Sequence, residues 1–440
     1  MNPGLIVLLM FAAVIVLFVL RTPVAITLGS VGIIALYLIK GPRFLQMLPP
    51  SIFENMTSII LLAIPLFIFI GCLLERSGIA DEIFEMIYMW LGPLPGGLAI
   101  GTVLICVIFA AMVGIVGAAT VTMGLIALPA MLKRGYKTSL AIGCISGGGA
   151  LGFLIPPSVT MIVYASLSNL SIGKMFLGGI IPGLFLAFLF IVYILTRSLI
   201  DPKLAPPIPV EERATWIQKW ASVKNLAMPF LLIFSIMGTI FSGIATPTEA
   251  AAVGAVVAMV IVLLRQKSFK KSMGLVSNAA ENATFLTSMV LWIIVGSLAF
   301  SAVVNTLGLP VLLKDLIDSI GMNRWSVLIA MMLSFFFLGM VMDDLPIIMI
   351  TVPVYVPLIT LLGFDPLWFG ILFIVNMQMA YLTPPFGFVL FYMKGVVPPG
   401  ISMGDIYKSV WPFIGLQALC LILIMIFPQI ALWLPSVVGM

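Results

Sequence analysis

Long apolar stretches with almost no charge recur from one end of the chain to the other, and nothing else in the sequence narrows the fold as much. They occupy residues 5–20, 24–39, 59–74, 173–195, 228–241, 248–264, 284–304 and 412–434. A helix needs about 20 apolar residues to cross the hydrocarbon core of a bilayer, so each is a candidate span. With 62% hydrophobic and 8% charged residues in 440, the solvent to reason with is lipid. The runs are uniformly apolar and lack the period-two polarity of a barrel strand, which leaves helices to satisfy the backbone in lipid. Shorter runs at 98–112, 118–132, 140–154, 326–340, 345–362 and 367–382 are bounded by Gly, Pro or charge. Some look too short to cross, which suggests re-entrant hairpins or broken helices.

Residues 5–20 run into Arg21 and then directly into the next apolar stretch, without an Ala-x-Ala-like cleavage site, so they read as a retained helix. The absence of histidine excludes His-ligated metals, a His general base and a Ser-His-Asp triad. Cys72, Cys106, Cys144 and Cys420 stand singly within apolar runs, a packing pattern with neither disulfide nor zinc spacing. No phosphate loop of the form Gly-x4-Gly-Lys-Ser/Thr occurs, so an ATP-driven pump is excluded. Asp343 and Asp344 adjoin in sequence and point differently on a helix, which argues against an aspartyl intramembrane protease.

The net charge is +5, and Lys133, Arg134, Lys137, Arg197, Lys203, Arg213, Lys219, Lys224, Arg265, Lys267, Lys270, Lys271 and Lys394 all fall in connections or at helix ends. The positive-inside rule places those connections in the cytoplasm. Residues 201–224, with Pro202, Pro206, Pro207 and Pro209, read as a cytoplasmic linker between two halves, and the C-terminus is expected outside. Pro129, Gly135, Leu154, Pro156, Pro157 and Tyr164 recur in type 228 positions later as Pro357, Gly363, Leu382, Pro384, Pro385 and Tyr392. The first copy turns through Lys-Arg-Gly-Tyr and the second through Leu-Gly-Phe-Asp, so the two copies are expected to be inverted in the membrane.

Proline pairs in mid-membrane unwind the chain and free carbonyls that a hard cation can take. Around Pro156-Pro157 two readings stay open: a cation site, or close helix packing over Gly147–Gly149 with a kink. The second copy brings Asn376, Gln378 and Thr383 into an apolar context. Opposite the breaks lie candidate hairpin tips at Gly114-Ile115-Val116-Gly117 and Gly339-Met340-Val341-Met342-Asp343-Asp344. The buried acids favour cation coordination, with a tip that reaches water as the alternative. Thr248 and Glu249 read as a helix cap.

At these residues the chain resembles the large membrane subunit, often called M or DctM, of tripartite ATP-independent periplasmic (TRAP) transporters. The likeness rests on Gly114-Ile-Val-Gly-Ala-Ala-Thr120, Leu128-Pro-Ala-Met-Leu-Lys-Arg-Gly-Tyr136, Gly149-Ala-Leu-Gly-Phe-Leu-Ile-Pro-Pro-Ser158, Gly243-Ile-Ala-Thr-Pro-Thr-Glu-Ala-Ala251 and the stretch from Asn376 to Thr383-Pro384-Pro385. It implies an all-α polytopic fold of the elevator-type ion transporter superfamily, with inverted repeats, two re-entrant helical hairpins and two broken helices. Implied segments are scaffold helices at 1–95 and 226–323, transport repeats at 96–172 and 324–400, a helix with the linker at 173–225, and a C-terminal helix at 401–440.

The implied function is sodium-coupled import of a small organic anion or related polar solute across the bacterial inner membrane. The implied partners are a small four-helix membrane subunit and a periplasmic substrate-binding protein; no cofactor beyond the coupling sodium ions and no enzymatic activity is expected. One implied sodium site uses Gly114 and Gly117 with Gly152, Ile155 and Pro157. The other uses Gly339, Met342 and Asp343 with Met379, Thr383 and Pro385. Thr120, Ser146, Gly147 and Asn376 would lie at the solute. Two departures stand out: Gly114-Ile-Val-Gly117 replaces the common Ser-Gly-Ser tip, as in the branch labelled mannitol/chloroaromatic, and Ala380 stands where Gly is usual. A channel subunit, or a carrier of the same superfamily that works without a binding protein, is the alternative.

Overall fold

The computed structural model describes residues 3–438 apart from Arg21, Arg76, Ile115, Lys267 and Phe386. Arg21 at the end of the first run, Ile115 in the first tip and Lys267 among the basic residues therefore lie outside the described residues. Among those described every regular element is helical, and seven helices are long and apolar enough to cross a membrane, or eight if a pair bent by 52° at Pro42–Met56 and Ile59–Glu75 counts as one span. The protein is a multi-pass membrane protein. Its outer faces carry Leu38, Phe188, Leu264, Phe285 and Trp292, all more than half exposed. In water such a surface would aggregate; in lipid it costs nothing.

In chain order we label α1 (Pro3–Val19), α2 (Val24–Lys40), α3 (Ala63–Glu75), α4 (Ile79–Leu91), α5 (Gly97–Val113), α6 (Val116–Lys133), α7 (Thr138–Ala150), α8 (Val159–Leu167), α9 (Ile172–Ile200), α10 (Trp216–Phe241), α11 (Pro247–Arg265), α12 (Phe269–Thr306), α13 (Leu309–Ile320), α14 (Arg324–Gly339), α15 (Asp344–Leu361), α16 (Pro366–Leu382), α17 (Phe388–Val396), α18 (Met403–Ile426) and α19 (Gln429–Val438). Starts are set by side-chain caps: Ser158 for α8, Ser171 for α9, Asp365 for α16, and reciprocal Ser402–Asp405 and Thr246–Glu249 boxes for α18 and α11. The cap of α11 is thus Thr246, with Glu249 as its return partner, while Thr248 reaches the carbonyl of Ile59 at 3.1 Å.

The 228-residue spacing extends beyond single residues to whole helices. α6 and α15 start at 116 and 344 and end at 133 and 361; α7 and α16 start at 138 and 366. The turns between them pass through Gly135 and Gly363 with φ of 77° and 78°, where a side chain would be strained. Both proline pairs are joined by a cis bond. In each copy the first hairpin arm packs on the long half of that copy's own broken helix, α5 on α7 and α14 on α16. The second arm packs on its own broken helix too and also reaches the short half of the other copy's: α6 on α7 and α17, α15 on α16 and α8. Around this core, α2 lies so close to α12 that a Cβ on Gly32 would come within 2.5 Å of the Ala299 carbonyl carbon.

Two expectations are corrected. The second hairpin arms, α6 and α15, have 18 residues each and are long enough to cross, so length alone does not mark a re-entrant segment. The single C-terminal helix expected over 401–440 is two, because α18 stops at Ile426 and Pro428 precedes the start of α19. Residues 201–224 connect the two halves as a packed strap. Leu204, Ala205 and Ile208 are buried, and the backbone of this strap is bonded to two neighbouring turns: Ile208 N to Gly92 O at 2.9 Å, Gly96 N to Ala205 O at 3.0 Å and Lys137 N to Leu204 O at 2.9 Å. Arg134 then pairs with Glu212 and donates to the Tyr88 hydroxyl at 2.6 Å.

Candidate functional site

The first tip is shaped by one glycine. α5 ends at Gly114 with φ 67°, a left-handed conformation that costs an L-residue about 1–2 kcal/mol. It lies so close to the break of the first broken helix that an added Cβ would run into the carbonyl of Pro157. A Cβ on Gly152 would meet Val116 at 3.5 Å, and one on Gly117 would meet the Tyr392 ring at 3.1 Å. Gly114, Gly117, Gly152 and Pro157 are therefore brought together. The Ile155 side chain turns the other way, against Gly183 of α9.

At the second tip the chain leaves α14 at Gly339 and enters α15 through Asp343, whose carboxylate accepts the Asp344 N–H at 3.1 Å. Tyr381, near the end of α16, places its hydroxyl between the two acids. It contacts Asp343 Oδ1, lies 3.0 Å from Asp344 Oδ1 and accepts the Asp344 N–H at 3.0 Å. Asp344 Oδ2 accepts a further hydrogen bond from Thr160 of α8, in the other copy. Gly339 faces Ala380, its added Cβ only 2.6 Å from the alanine methyl, so the small residue that the break lacks is supplied by the tip. Thr383 closes α16 and donates to the Met379 carbonyl at 2.7 Å, and the Pro385 carbonyl accepts from Tyr407 at 3.1 Å. Each carbonyl keeps a second lone pair. Met342 is half-buried beside the acids.

A cavity of about 210 Å³ opens between the tips. Gly114 and Gly117 line it from one side, Asp343 and Asp344 from the other, with Thr160, Tyr381 and Tyr392 around them and Ile68 of α3 and Met289 of α12 closing it. No Lys or Arg lines it among the described residues. Two carboxylates thus face a small, largely apolar chamber whose polar atoms are hydroxyl and carbonyl oxygens. Such a donor set suits a hard monovalent cation and offers no ligand to a soft metal.

The four residues expected at the solute lie outside the lining of this cavity. Thr120 is buried against Gly149 with its hydroxyl on the Val116 carbonyl at 3.2 Å, and Gly147 faces the Phe413 ring of α18. Asn376 donates to the Met332 carbonyl at 2.7 Å and leaves its Oδ1 unpaired, as is Ser146 Oγ. Sequence reasoning missed Tyr381, Tyr392 and Phe153 as cavity residues. The repeat held the signal. Phe153 and Tyr381 are 228 apart and their rings meet edge to face at 4.7 Å, while Gln378 donates to the carbonyl of Ala150, 228 residues before it, at 2.8 Å.

Residues 11–430 match the family model described as tripartite ATP-independent periplasmic transporter, DctM component. The chain belongs to this family. DctM-family relatives include the C4-dicarboxylate TRAP transporter large permease protein DctM of Pseudomonas aeruginosa, 32% identical over 94% of this chain and 95% of its own. The ectoine TRAP transporter large permease protein TeaC of Halomonas elongata is 30% identical over 97% of this chain and 98% of its own. The fold of this DctM-family chain is also that of a solved membrane transporter, YdaH of Alcanivorax borkumensis, with a TM-score of 0.61 at 15% identity over 92% of this chain and 90% of that one. These DctM-family relatives are named as transporter permeases, and the present chain is a transport protein with no enzymatic role.

Proposed function

We propose that this permease imports a small organic anion or related polar solute across the bacterial inner membrane, driven by sodium. The observation that carries the reading is the acid pair Asp343-Asp344 at a helix tip, facing a cavity with no basic side chain among its described lining residues. Buried negative charge of that kind calls for a bound cation. Sodium is a cargo of the cycle: one ion is held at the second tip by Asp343 with backbone oxygens of Gly339, Met342, Met379, Thr383 and Pro385. Another is held at the first by Gly114, Gly117, Gly152, Ile155 and Pro157. The Met379 carbonyl keeps a lone pair after its bond to Thr383, which leaves it free to turn to an ion.

The contacts between positions 228 apart point to a two-fold axis between the copies, and the opposite charge of the two turns supports an axis in the membrane plane, hence inversion. The basic turn at Lys133-Arg134 then faces the cytoplasm and the turn at Asp365 the periplasm. The hairpins and broken helices slide as one body past α2, α3 and α12 in an elevator movement. Solute specificity comes chiefly from a periplasmic binding protein, and a small membrane subunit completes the complex. Relatives are named for C4-dicarboxylates, ectoine and 2,3-diketo-L-gulonate, which sets the panel of solutes to try. The test is uptake into proteoliposomes holding both membrane subunits, with the binding protein outside. Uptake is expected with an inward sodium gradient and not with choline in its place; equal uptake in both refutes the coupling.

A further inference from the structure

The Tyr381 hydroxyl carries one hydrogen, so it can donate to Asp343 or to Asp344 but not to both at once. Asp344 is itself tied to the other copy, because its second oxygen accepts from Thr160. Thr160 stands in the first turn of α8, two residues past the Ser158 cap and three past Pro157, whose carbonyl abuts the first tip at Gly114. Asp344, Thr160 and Tyr381 are each less than a tenth exposed, so water does not compete for these bonds. A continuous hydrogen-bonded path therefore runs from Asp343 through Tyr381, Asp344 and Thr160 to the backbone against which the first tip rests. The counterpart positions 228 residues away hold Ile115, Phe153, Val116 and Phe388, none of which can form such a path.

We propose that Tyr381, Asp344 and Thr160 are a relay that makes cation binding at the two tips cooperative, an inference that rests on the two-site reading above. A cation held by Asp343 takes the lone pairs that the Tyr381 hydrogen otherwise occupies. The hydrogen then turns to Asp344, which holds Thr160 and fixes the start of α8, and with it the Pro157 carbonyl, against Gly114. Binding at the first tip favours the same arrangement and so strengthens binding at the second, since coupling is reciprocal. Tyr381 and Thr160 are positioning residues: they act on the ions through Asp343 and Pro157.

The experiment is equilibrium binding of radiolabelled sodium to the complete purified transporter, beside sodium-dependent uptake by the same complex in proteoliposomes. Wild type is expected to be sigmoidal, with a Hill coefficient approaching about 2, the limit for two sites. Thr160→Val removes the hydroxyl at equal volume and should bring the binding coefficient to about 1 while both ions still bind at saturation. Thr160→Ser restores the hydroxyl and should restore cooperativity, which a packing role of the γ-methyl would not predict. Tyr381→Phe, the residue already present at position 153, should match Thr160→Val, and the double variant should be no less cooperative than either, because one path is cut once. Hyperbolic binding of two ions by wild type, or unaltered sigmoidicity of binding in Thr160→Val, overturns the relay alone. Uptake indifferent to sodium removes the two-site reading and the relay with it.

Discussion

The two hairpin tips occupy corresponding places in the 228-residue spacing and share almost no polar chemistry. The first turns on Gly114 and presents backbone oxygens and a glycine face to Tyr392 and Pro157. The second presents two carboxylates held by Tyr381 and by a threonine borrowed from the first copy. A shared backbone frame has thus been divided into one tip that depends on close approach and one that depends on charge. Substitutions should therefore fail in different ways at the two places.

The largest effect is expected at the charge. Asp343→Asn keeps the volume but removes a charged acceptor, an interaction worth roughly 1.5–3 kcal/mol, so the sodium concentration for half-maximal uptake should rise about 10- to 100-fold. A variant with unchanged sodium dependence would erase the distinction between the tips. Next is Gly114→Ala, which must bear a positive φ and a methyl pressed on the Pro157 carbonyl. Backbone strain alone costs about 1–2 kcal/mol, and a lowered melting temperature together with reduced uptake is expected. Gly415→Ala on α18, where an added Cβ meets nothing within 4 Å, is the control that should behave as wild type. The smallest effect belongs to neither tip. Arg134 holds the Glu212 carboxyl below its usual range. A depressed pKa contributes stability above the unfolded value near 4.5 that is lost as pH falls through the folded one. Glu212→Gln should therefore narrow the gap in melting temperature between pH 7 and pH 4, by little, because the pair is exposed to solvent.

The helical membrane class was legible because apolar runs of span length admit nothing else, and the hairpins and breaks were legible because Pro156-Pro157 and Pro384-Pro385 interrupt apolar helices at matched spacing. That Asp343 would face a cavity was legible for the same reason any intramembrane charge is. Tyr381 and Thr160 were not, since a tyrosine and a threonine in lipid-like sequence carry no sign of which helix they will meet. Thr160 meets Asp344 because α15 packs on α8, and Tyr381 meets both acids because α16 ends beside the tip; both are non-local facts. The break at Pro428 was hidden by its apolar flanks, which satisfy a hydropathy count whether or not the helix continues. How the strap packs was not legible, because prolines and charges usually signal solvent, whereas here Leu204 and Ile208 turn inward between them.

That strap grips its neighbours through main-chain atoms at Leu204, Ala205 and Ile208. Its hold is consequently indifferent to most side-chain exchanges and intolerant of any change in residue count, since deleting a single residue would put every later bond out of step. It also means that the turn beyond α6 cannot be displaced on its own: whatever moves Lys137 hauls the end of α9 and the start of α10 with it, as a rope moves both of the things it is tied to.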